Sequence, residues 1–208
     1  KTAGEQFFRK TVQSIAGTPD ELIDRLLNIS ELVHIRKGGE FVREGEIPRN
    51  MGFNLNGVFR LYYIDQQGNE FTKGFSVRGN FVISYSALVQ KRPSFFYIEA
   101  LEDTDILRFQ YDQWMHLANQ DIRWYPLLYK LVESVYIKKE MREKAFLLDD
   151  ATTRYLEFRT LFPGLEDRIK LYHIASFLGI TPEALSRIRK KLKSETTLSA
   201  PDQEKINE

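Results

Sequence analysis

Residues 173–192, HIASFLGITPEALSRIRKKL, carry the signals of two short helices joined by a sharp turn. Gly179 follows the apolar end of the first helix, where a residue in the left-handed conformation commonly ends a helix. Thr181 can cap the second helix, Pro182 fits its first position, and Glu183 suits its positive end. Because such a turn makes two helices cross at close range, the segment predicts a helix-turn-helix.

The two faces of the second predicted helix differ in chemistry. Leu185, Ile188 and Leu192 form an apolar stripe at the i, i+3 and i+7 positions that a buried helix face requires. The opposite face offers a carboxylate, a hydroxyl and a guanidinium, which are groups that can bind base edges in the major groove. The candidate DNA-contacting residues are Thr181, Glu183, Ser186, Arg187, Arg189, Lys190 and Lys191. The segment therefore predicts a sequence-specific DNA-binding domain.

The distribution of charge agrees with this prediction. The whole chain of 208 residues has a formal net charge of only +1. Residues 151–193 nevertheless contain nine basic and four acidic residues, and five of the nine basic residues fall within 187–193. A run of like charge is more often a solvated helix face, but here it lies on the predicted recognition helix.

The preceding part of the chain has a different pattern. Between residues 31 and 109, short β-rich runs alternate with Gly and Asn turn signals, which is typical of a small antiparallel sandwich or barrel. The runs that we predict as strands are residues 32–35, 40–43, 57–64, 70–75, 96–101 and 105–109.

A long helix is predicted next, over residues 122–148, which contain no Gly and only Pro126 near the start. Its apolar seam consists of Trp124, Leu128, Leu131, Val135, Met141, Ala145 and Leu148. Such a seam either packs on its own domain or pairs with a twin helix, and the length of the element favours the twin. We therefore divide the chain into a sensor domain (1–121), a dimerisation helix (122–149), a helix-turn-helix domain (150–193) and a polar, disordered tail (194–208).

Several chemistries are excluded or disfavoured by composition. The chain has no Cys, which excludes disulfides, thiolate zinc sites and cysteine-ligated clusters. The three His residues, His34, His116 and His173, are scattered and predict neither a metal site nor haem ligation. No apolar run is long enough to span a membrane and no signal segment is visible, so we expect a cytoplasmic protein without catalytic residues.

From about Phe8 to Lys193 the chain resembles the Crp/Fnr family of bacterial transcription regulators. The Glu-x-x-Ser-Arg run of residues 183–187 is similar to the recognition helix of the Fnr branch. Residues 39–40, 44–46 and 57–60 resemble the glycine-punctuated early strands of the family's sensor domain. The resemblance implies an α+β fold with an N-terminal antiparallel, jelly-roll-like β-roll of the cyclic-nucleotide-binding type. It also implies a long dimerisation helix and a C-terminal winged helix-turn-helix.

The resemblance also implies partners and a mechanism. A homodimer would bind a pseudo-palindrome in double-stranded DNA, with half-sites similar to TTGA or TTGAT read by Glu183, Ser186 and Arg187. RNA polymerase and an unidentified small-molecule effector would be the other partners.

The sensor domain departs from the pattern of the members that bind cyclic AMP. In those members a Gly-Glu-Leu/Ile cassette binds the ribose and a later Arg-Ser/Thr-Ala binds the phosphate. Here Asn80 stands in place of the Glu and Ser94 in place of the Arg. Because a buried phosphate without a cationic partner is strongly disfavoured, we do not expect cyclic AMP to bind and assign no cofactor. The candidate effector-pocket residues are Gly79, Asn80, Phe81, Arg92, Ser94 and Phe95.

A second departure concerns the wing, because only KSETTL follows Leu192 before the polar tail, and we expect the wing to be truncated or disordered. Two other functions stay open from the sequence alone. One is a cupin-like, metal-dependent enzyme, and the other is a ligand-binding module whose helical tail contacts another protein.

Overall fold

A computed structural model of the chain describes residues 2–198, with side chains described through Glu195. The chain divides into two compact units, the first ending at Glu143 and the second beginning at Lys144. Within the described residues, all strands lie between Ser30 and Gln110, in the first unit. The predicted mixture of an antiparallel β domain and C-terminal helices is confirmed.

The first unit contains a β-roll of two four-stranded antiparallel sheets. The strands are β1 (Ser30–Ile35), β2 (Glu40–Val42), β3 (Asn50–Asn54), β4 (Val58–Ile64), β5 (Glu70–Val77), β6 (Phe81–Val82), β7 (Tyr97–Ala100) and β8 (Thr104–Gln110). Their order is β1-β8-β3-β6 in one sheet and β2-β7-β4-β5 in the other. Each of the six predicted runs overlaps one strand of the structure. β3 and β6 were not predicted, because β3 is rich in Asn and Gly and β6 is only two residues long.

Helices α1 (Ala3–Ala16) and α2 (Asp20–Asn28) precede the β-roll and were not predicted. The signal for α1 was present in the sequence as a capping box. The Glu5 backbone N–H donates to Thr2 Oγ1 at 3.2 Å, and the Thr2 N–H donates to the Glu5 carboxylate at 3.0 Å. Helix α1 buries Phe8, whose ring packs edge-on against that of Phe53 with 4.9 Å between the ring centres. The amino-terminal helices are therefore part of the core of the first unit.

Two further helices, α3 (Tyr85–Gln90) and α4 (Tyr111–Gln120), complete the part of the first unit before the long helix. The space between the two sheets is filled by a second apolar cluster. Its buried members are Val42, Phe59, Val82, Phe96, Ile98, Ala100 and Ile106.

The predicted long helix is α5 (Tyr125–Leu148), preceded by a single 3₁₀ turn at Ile122–Trp124. The first half of its seam packs on its own unit: Trp124 is fully buried and Leu128 and Leu131 lie against the core that holds Phe8. The second half behaves differently, because Val135 and Met141 are 55% and 58% exposed. The seam is thus continuous in sequence, but its first residues pack on the core of the first unit while Val135 and Met141 face solvent.

The second unit contains α6 (Ala151–Leu161), α7 (Leu171–Leu178) and α8 (Pro182–Leu198). Helix α8 is longer than predicted. It includes residues 194–198, although the sequence predicts a disordered tail there. The same residues stand where a wing hairpin would follow the recognition helix. No Gly or Pro interrupts the helix there, and the Lys191 Nζ lies 3.9 Å from Glu195 Oε1 at the i, i+4 spacing. A wing is thus not found in the described part of this unit, and residues 199–208 of the predicted tail lie outside the described residues.

Candidate nucleic-acid interface and sensor site

The turn between α7 and α8 ends α7 with two reverse hydrogen bonds. The Gly179 N–H donates to the Ser176 carbonyl at 3.2 Å, and the Ile180 N–H donates to the Ala175 carbonyl at 3.0 Å. This is a Schellman motif, and it requires Gly179 in the left-handed region, where its φ is 68°. A Cβ at this position would lie 2.7 Å from the Phe146 ring, so the site also has no room for a side chain.

The start of α8 is capped as predicted. The Thr181 hydroxyl accepts from the Ala184 N–H at 3.2 Å. The pKa of Glu183 is lowered, chiefly by a hydrogen bond from its own backbone N–H and then by the Thr181 hydroxyl and the charge of Arg187. Glu183 is therefore held as a carboxylate, which is the form that accepts hydrogen bonds.

The faces of α8 agree with the predicted pattern. Leu185 is fully buried, and Ile188 and Leu192 are half-buried. The candidate DNA-contacting residues that lie exposed are Thr181, Glu183, Ser186, Arg187, Lys190 and Lys191. On the residues described, the outward face thus presents a carboxylate, a hydroxyl, a guanidinium and two ammonium groups to solvent.

Arg189 is the exception among the candidate DNA contacts. It is half-buried, and its Nε lies 3.9 Å from Glu166 Oε2. Glu166 also accepts a hydrogen bond from the Tyr155 hydroxyl, and Arg159 Nε lies 3.6 Å from its Oε1. Burial, and then the hydrogen bond to Glu166, raise the pKa of Tyr155. We therefore assign Arg189 to this internal network, which links α8 to α6.

Arg154 is a further residue of this unit that sequence reasoning missed. Its Nε donates to the carbonyl of Leu178 at 3.1 Å, and its Nη1 donates to the carbonyl of Asp149 at 2.6 Å. One guanidinium thus satisfies carbonyls near the ends of two helices, α7 and α5. No local sequence signal indicates this role, because Leu178 lies 24 residues away.

In the sensor domain, the predicted Gly79-Asn80-Phe81 cassette forms a tight turn against β3. The Gly79 N–H donates to the Asn54 carbonyl at 2.8 Å, and the Asn54 N–H donates to the Asn80 carbonyl at 2.9 Å. The Asn80 side chain accepts from the Val77 N–H at 3.4 Å. The Phe81 ring packs in the core at 5.8 Å from Trp114. In this structure the three residues therefore shape the fold rather than line a common pocket.

Ser94, which stands in place of the phosphate-binding Arg, belongs to a buried pair of hydroxyls. Its hydroxyl is buried, hydrogen-bonded to that of Ser84 at 3.0 Å, and donates to the Phe96 carbonyl at 2.8 Å. The residue that faces Ser94 is thus Ser84. The pair offers no positive charge to a buried phosphate, and the predicted pocket residues Arg92 and Phe95 lie exposed on the surface. The described hydrogen bonds join Ser94 to Ser84 and Phe96, and they join the Gly79-Asn80 turn to β3.

Two general properties follow from the described side chains and helices. Among residues 2–195 no group of three or more His, Asp or Glu is placed to hold a metal ion. Within the same described part of the chain, no helix is both long and apolar enough to cross a membrane.

The elements described so far, a β-roll, a long helix and a capped helix-turn-helix, define a class of fold, and comparison with known proteins identifies it. Residues 32–121 match the family of cyclic nucleotide-binding domains, and no curated protein matches the chain in sequence.

Three solved structures illustrate the likeness. FixK2 of Bradyrhizobium japonicum is 18% identical, with a TM-score of 0.71 over 81% of this chain and 86% of that one. The c-di-GMP-responsive global regulator CLP of Xanthomonas campestris is 14% identical, with a TM-score of 0.67 over 86% of this chain and 93% of that one. The catabolite activator protein of Thermus thermophilus is 20% identical, with a TM-score of 0.53 over 89% and 88% of the two chains. The chain therefore has the fold of the Crp/Fnr regulators, with a sensor domain of the cyclic nucleotide-binding type, and the resemblance seen in the sequence is confirmed.

Proposed function

We propose that the protein is a transcription regulator that binds a pseudo-palindromic site in double-stranded DNA as a homodimer, under control of a small-molecule effector. The observation that carries the proposal is the outward face of α8. Glu183, Ser186 and Arg187 are exposed there, while Leu185 anchors the opposite face. The helix is held by its cap and by the Schellman turn, so these side chains are presented from a rigid support.

The chemistry of this face supports reading of bases as well as binding of the backbone. A guanidinium binds the O6 and N7 of guanine in a bidentate manner, and a carboxylate accepts from the amino group of cytosine. Lys190 and Lys191 add charge that suits phosphate oxygens. The resemblance of residues 183–187 to the Fnr branch implies a half-site similar to TTGA or TTGAT, read by Glu183, Ser186 and Arg187.

The second half of α5 supports dimerisation. Here Val132, Tyr136, Ile137 and Met141 are exposed large apolar side chains on one helix, 46–61% exposed. Val132 and Tyr136 lie one turn apart, as do Ile137 and Met141. A second copy of the same helix is the occupant that such exposed side chains suit, because paired helices bury apolar residues symmetrically. Two recognition helices related by the dimer axis would then enter successive major grooves about 34 Å apart.

The DNA proposal is tested by selecting binding sites from random duplex DNA and by footprinting the selected site. Arg187→Ala should weaken the selected site by about 1–3 kcal/mol and relax the preference at one base pair. Arg187→Lys is the matched control: it keeps the charge but loses bidentate geometry, so it should also relax the preference. Lys190→Ala should weaken all sequences alike. Failure to enrich any palindromic site would contradict the proposal.

The dimer is tested by sedimentation equilibrium of paired variants on α5. Val132→Lys places a charge on the exposed apolar surface and should shift the protein toward monomer. Ser134→Lys, two residues away at an exposed polar position, is the control and should leave the association constant unchanged. A native chain that stays monomeric at tens of micromolar would count against the homodimer.

The effector and RNA polymerase are the remaining partners in this proposal. The neighbouring proteins of the same fold are regulators, which favours a binding role over the cupin-like enzyme. In vitro transcription from a promoter that carries the selected site, with and without the protein, tests whether polymerase responds.

A further inference from the structure

Lys73 occupies an irregular position in the sensor β-roll. The pairing of β4 with β5 shifts between Leu61 and Tyr62: Leu61 lies opposite Gly74, and Tyr62 lies opposite Thr72. Lys73 is therefore the extra residue of a β-bulge and has no partner in register. Bulges of this kind commonly lie beside functional sites, where they redirect one side chain.

The redirected side chain ends against aromatic rings. The Lys73 Nζ lies 3.6 Å from the centre of the Phe96 ring and 5.7 Å from that of the Tyr63 ring. Phe96 belongs to the apolar cluster between the two sheets. Within the described residues, Lys73 forms no ion pair and no hydrogen bond to a carboxylate.

The neighbouring charges on α5 are also positive. Burial first, and then the charge of Lys139, lower the pKa of Lys73 to about 8. Arg142 lies near the same edge of the sheet, where it donates to the Thr72 carbonyl at 3.3 Å. Three cationic groups thus lie near one edge of the sheet.

This arrangement is costly for the folded chain by itself. A partly desolvated ammonium next to like charge is unfavourable, and a cation–π contact offsets only part of the penalty. A Met or Leu at position 73 would cover Phe96 without that cost. Charged groups kept at a cost in this way mark functional sites more often than structural ones.

The surface next to Lys73 is aromatic. Tyr63 and Phe71 are paired in register between β4 and β5 and therefore lie on the same face of the sheet. Both are exposed. A planar apolar body can stack there while its charged group reaches the ammonium groups.

We propose that this site binds a small aromatic anion, whose carboxylate or phosphate contacts Lys73 and Lys139 and whose ring packs on Tyr63 and Phe71. The inference rests on the proposed function, because it names the chemical class of the effector. The anion would supply the missing counter-charge, and it would link the β-roll to the long helix through Lys139.

The test is isothermal titration of the full chain, without DNA, with benzoate and with phenyl phosphate. Benzamide is the neutral match of benzoate and should not bind. Lys73→Met should weaken the bound anion at least about tenfold, as expected for loss of a charge-assisted contact. Lys139→Met should weaken it severalfold, whereas Lys138→Met, on the adjacent residue of α5, is the control and should not.

Tighter binding of benzoate would indicate a carboxylate effector, and tighter binding of phenyl phosphate would indicate a phosphate effector. Lys73→Arg keeps the charge and should bind more tightly than Lys73→Met, which separates loss of charge from loss of fold. The inference is overturned by no saturable binding of either anion up to about 10 mM, by equal binding of benzamide, or by unchanged affinity in Lys73→Met. Because no DNA is present, failure here leaves the DNA result standing, and failure to select a DNA site leaves this result standing.

Discussion

Replacing Gly179 by Ala tests how the turn of the helix-turn-helix is held. Two independent costs arise at this position. A side chain in the left-handed region costs about 1–2 kcal/mol. The new Cβ would also lie 2.7 Å from Phe146, and relieving such overpacking adds about 1–2 kcal/mol. We therefore expect Gly179→Ala to lower the free energy of unfolding of the second unit by about 2–4 kcal/mol.

Gly164 provides a matched control in the same unit. Its φ is 71°, but a Cβ there would meet no atom within 4 Å, so Gly164→Ala should cost only the conformational part, about 1–2 kcal/mol. Adding Phe146→Ala to Gly179→Ala should make the two changes non-additive by about 1–2 kcal/mol, because the contact is then absent.

The assay is urea unfolding followed by two signals. Both Trp residues, Trp114 and Trp124, are buried in the first unit, so their fluorescence reports that unit. Circular dichroism at the helix band also includes the second unit. The Gly179 variant should shift the dichroism transition and leave the fluorescence transition in place. If Gly179→Ala is no more destabilising than Gly164→Ala, the close approach to Phe146 does not constrain the turn.

Three other predictions follow from the same structure. Arg154→Ala leaves the carbonyls of Leu178 and Asp149 without their donor and should cost about 1–3 kcal/mol in urea unfolding of the second unit; an unchanged midpoint would contradict the capping role. Because the folded protein lowers the pKa of Lys73 from 10.5 to about 8, its charge destabilises the fold fully below pH 8, and this cost fades between pH 8 and 10.5. Lys73→Met should thus be more stable than the native chain at pH 7, by about 3 kcal/mol, with a smaller advantage at pH 10; an advantage independent of pH would refute this. The pKa of Asp121 is lowered to about 2 from 3.8, first by the Arg123 side chain, so its carboxyl NMR signal should titrate near pH 2, and a midpoint near 3.8 would show that the pair is absent in solution.

The helix-turn-helix could be predicted in detail because its signals are local. Gly179, Thr181 and Pro182 lie within four consecutive residues, and each determines a backbone conformation or a cap from its own side chain. The apolar stripe of α8 follows from the helical repeat alone. For the same reason the six β runs were found, since alternation and turn residues are read over short windows.

The sensor site shows where local patterns fail. Spacing aligns Asn80 and Ser94 with the ribose and phosphate positions of a known motif, but it does not predict that Ser94 is hydrogen-bonded to Ser84. Lys73 reads in sequence as an ordinary polar residue of an amphipathic strand. Only the bulge in β5 and the nearby residues of α5 reveal that its ammonium is held against Phe96. The Ser84–Ser94 contact spans 10 positions and the Lys73–Phe96 contact spans 23, and neither spacing belongs to a helical or strand repeat that a sequence window can detect.

The sequence by itself thus determined six of the strands, the long helix, the helix-turn-helix with its cap, and the surface that we propose for DNA. The tertiary structure decided which of two equivalent-looking arginines on α8 faces outward: Arg187 is exposed, whereas Arg189 pairs with Glu166. It also decided that the first half of the α5 seam packs on its own core, whereas Val135, Met141 and Leu148 in the second half are exposed. Local backbone conformation depends on each residue and its near neighbours, whereas burial and charge pairing depend on what the rest of the chain brings to the same place.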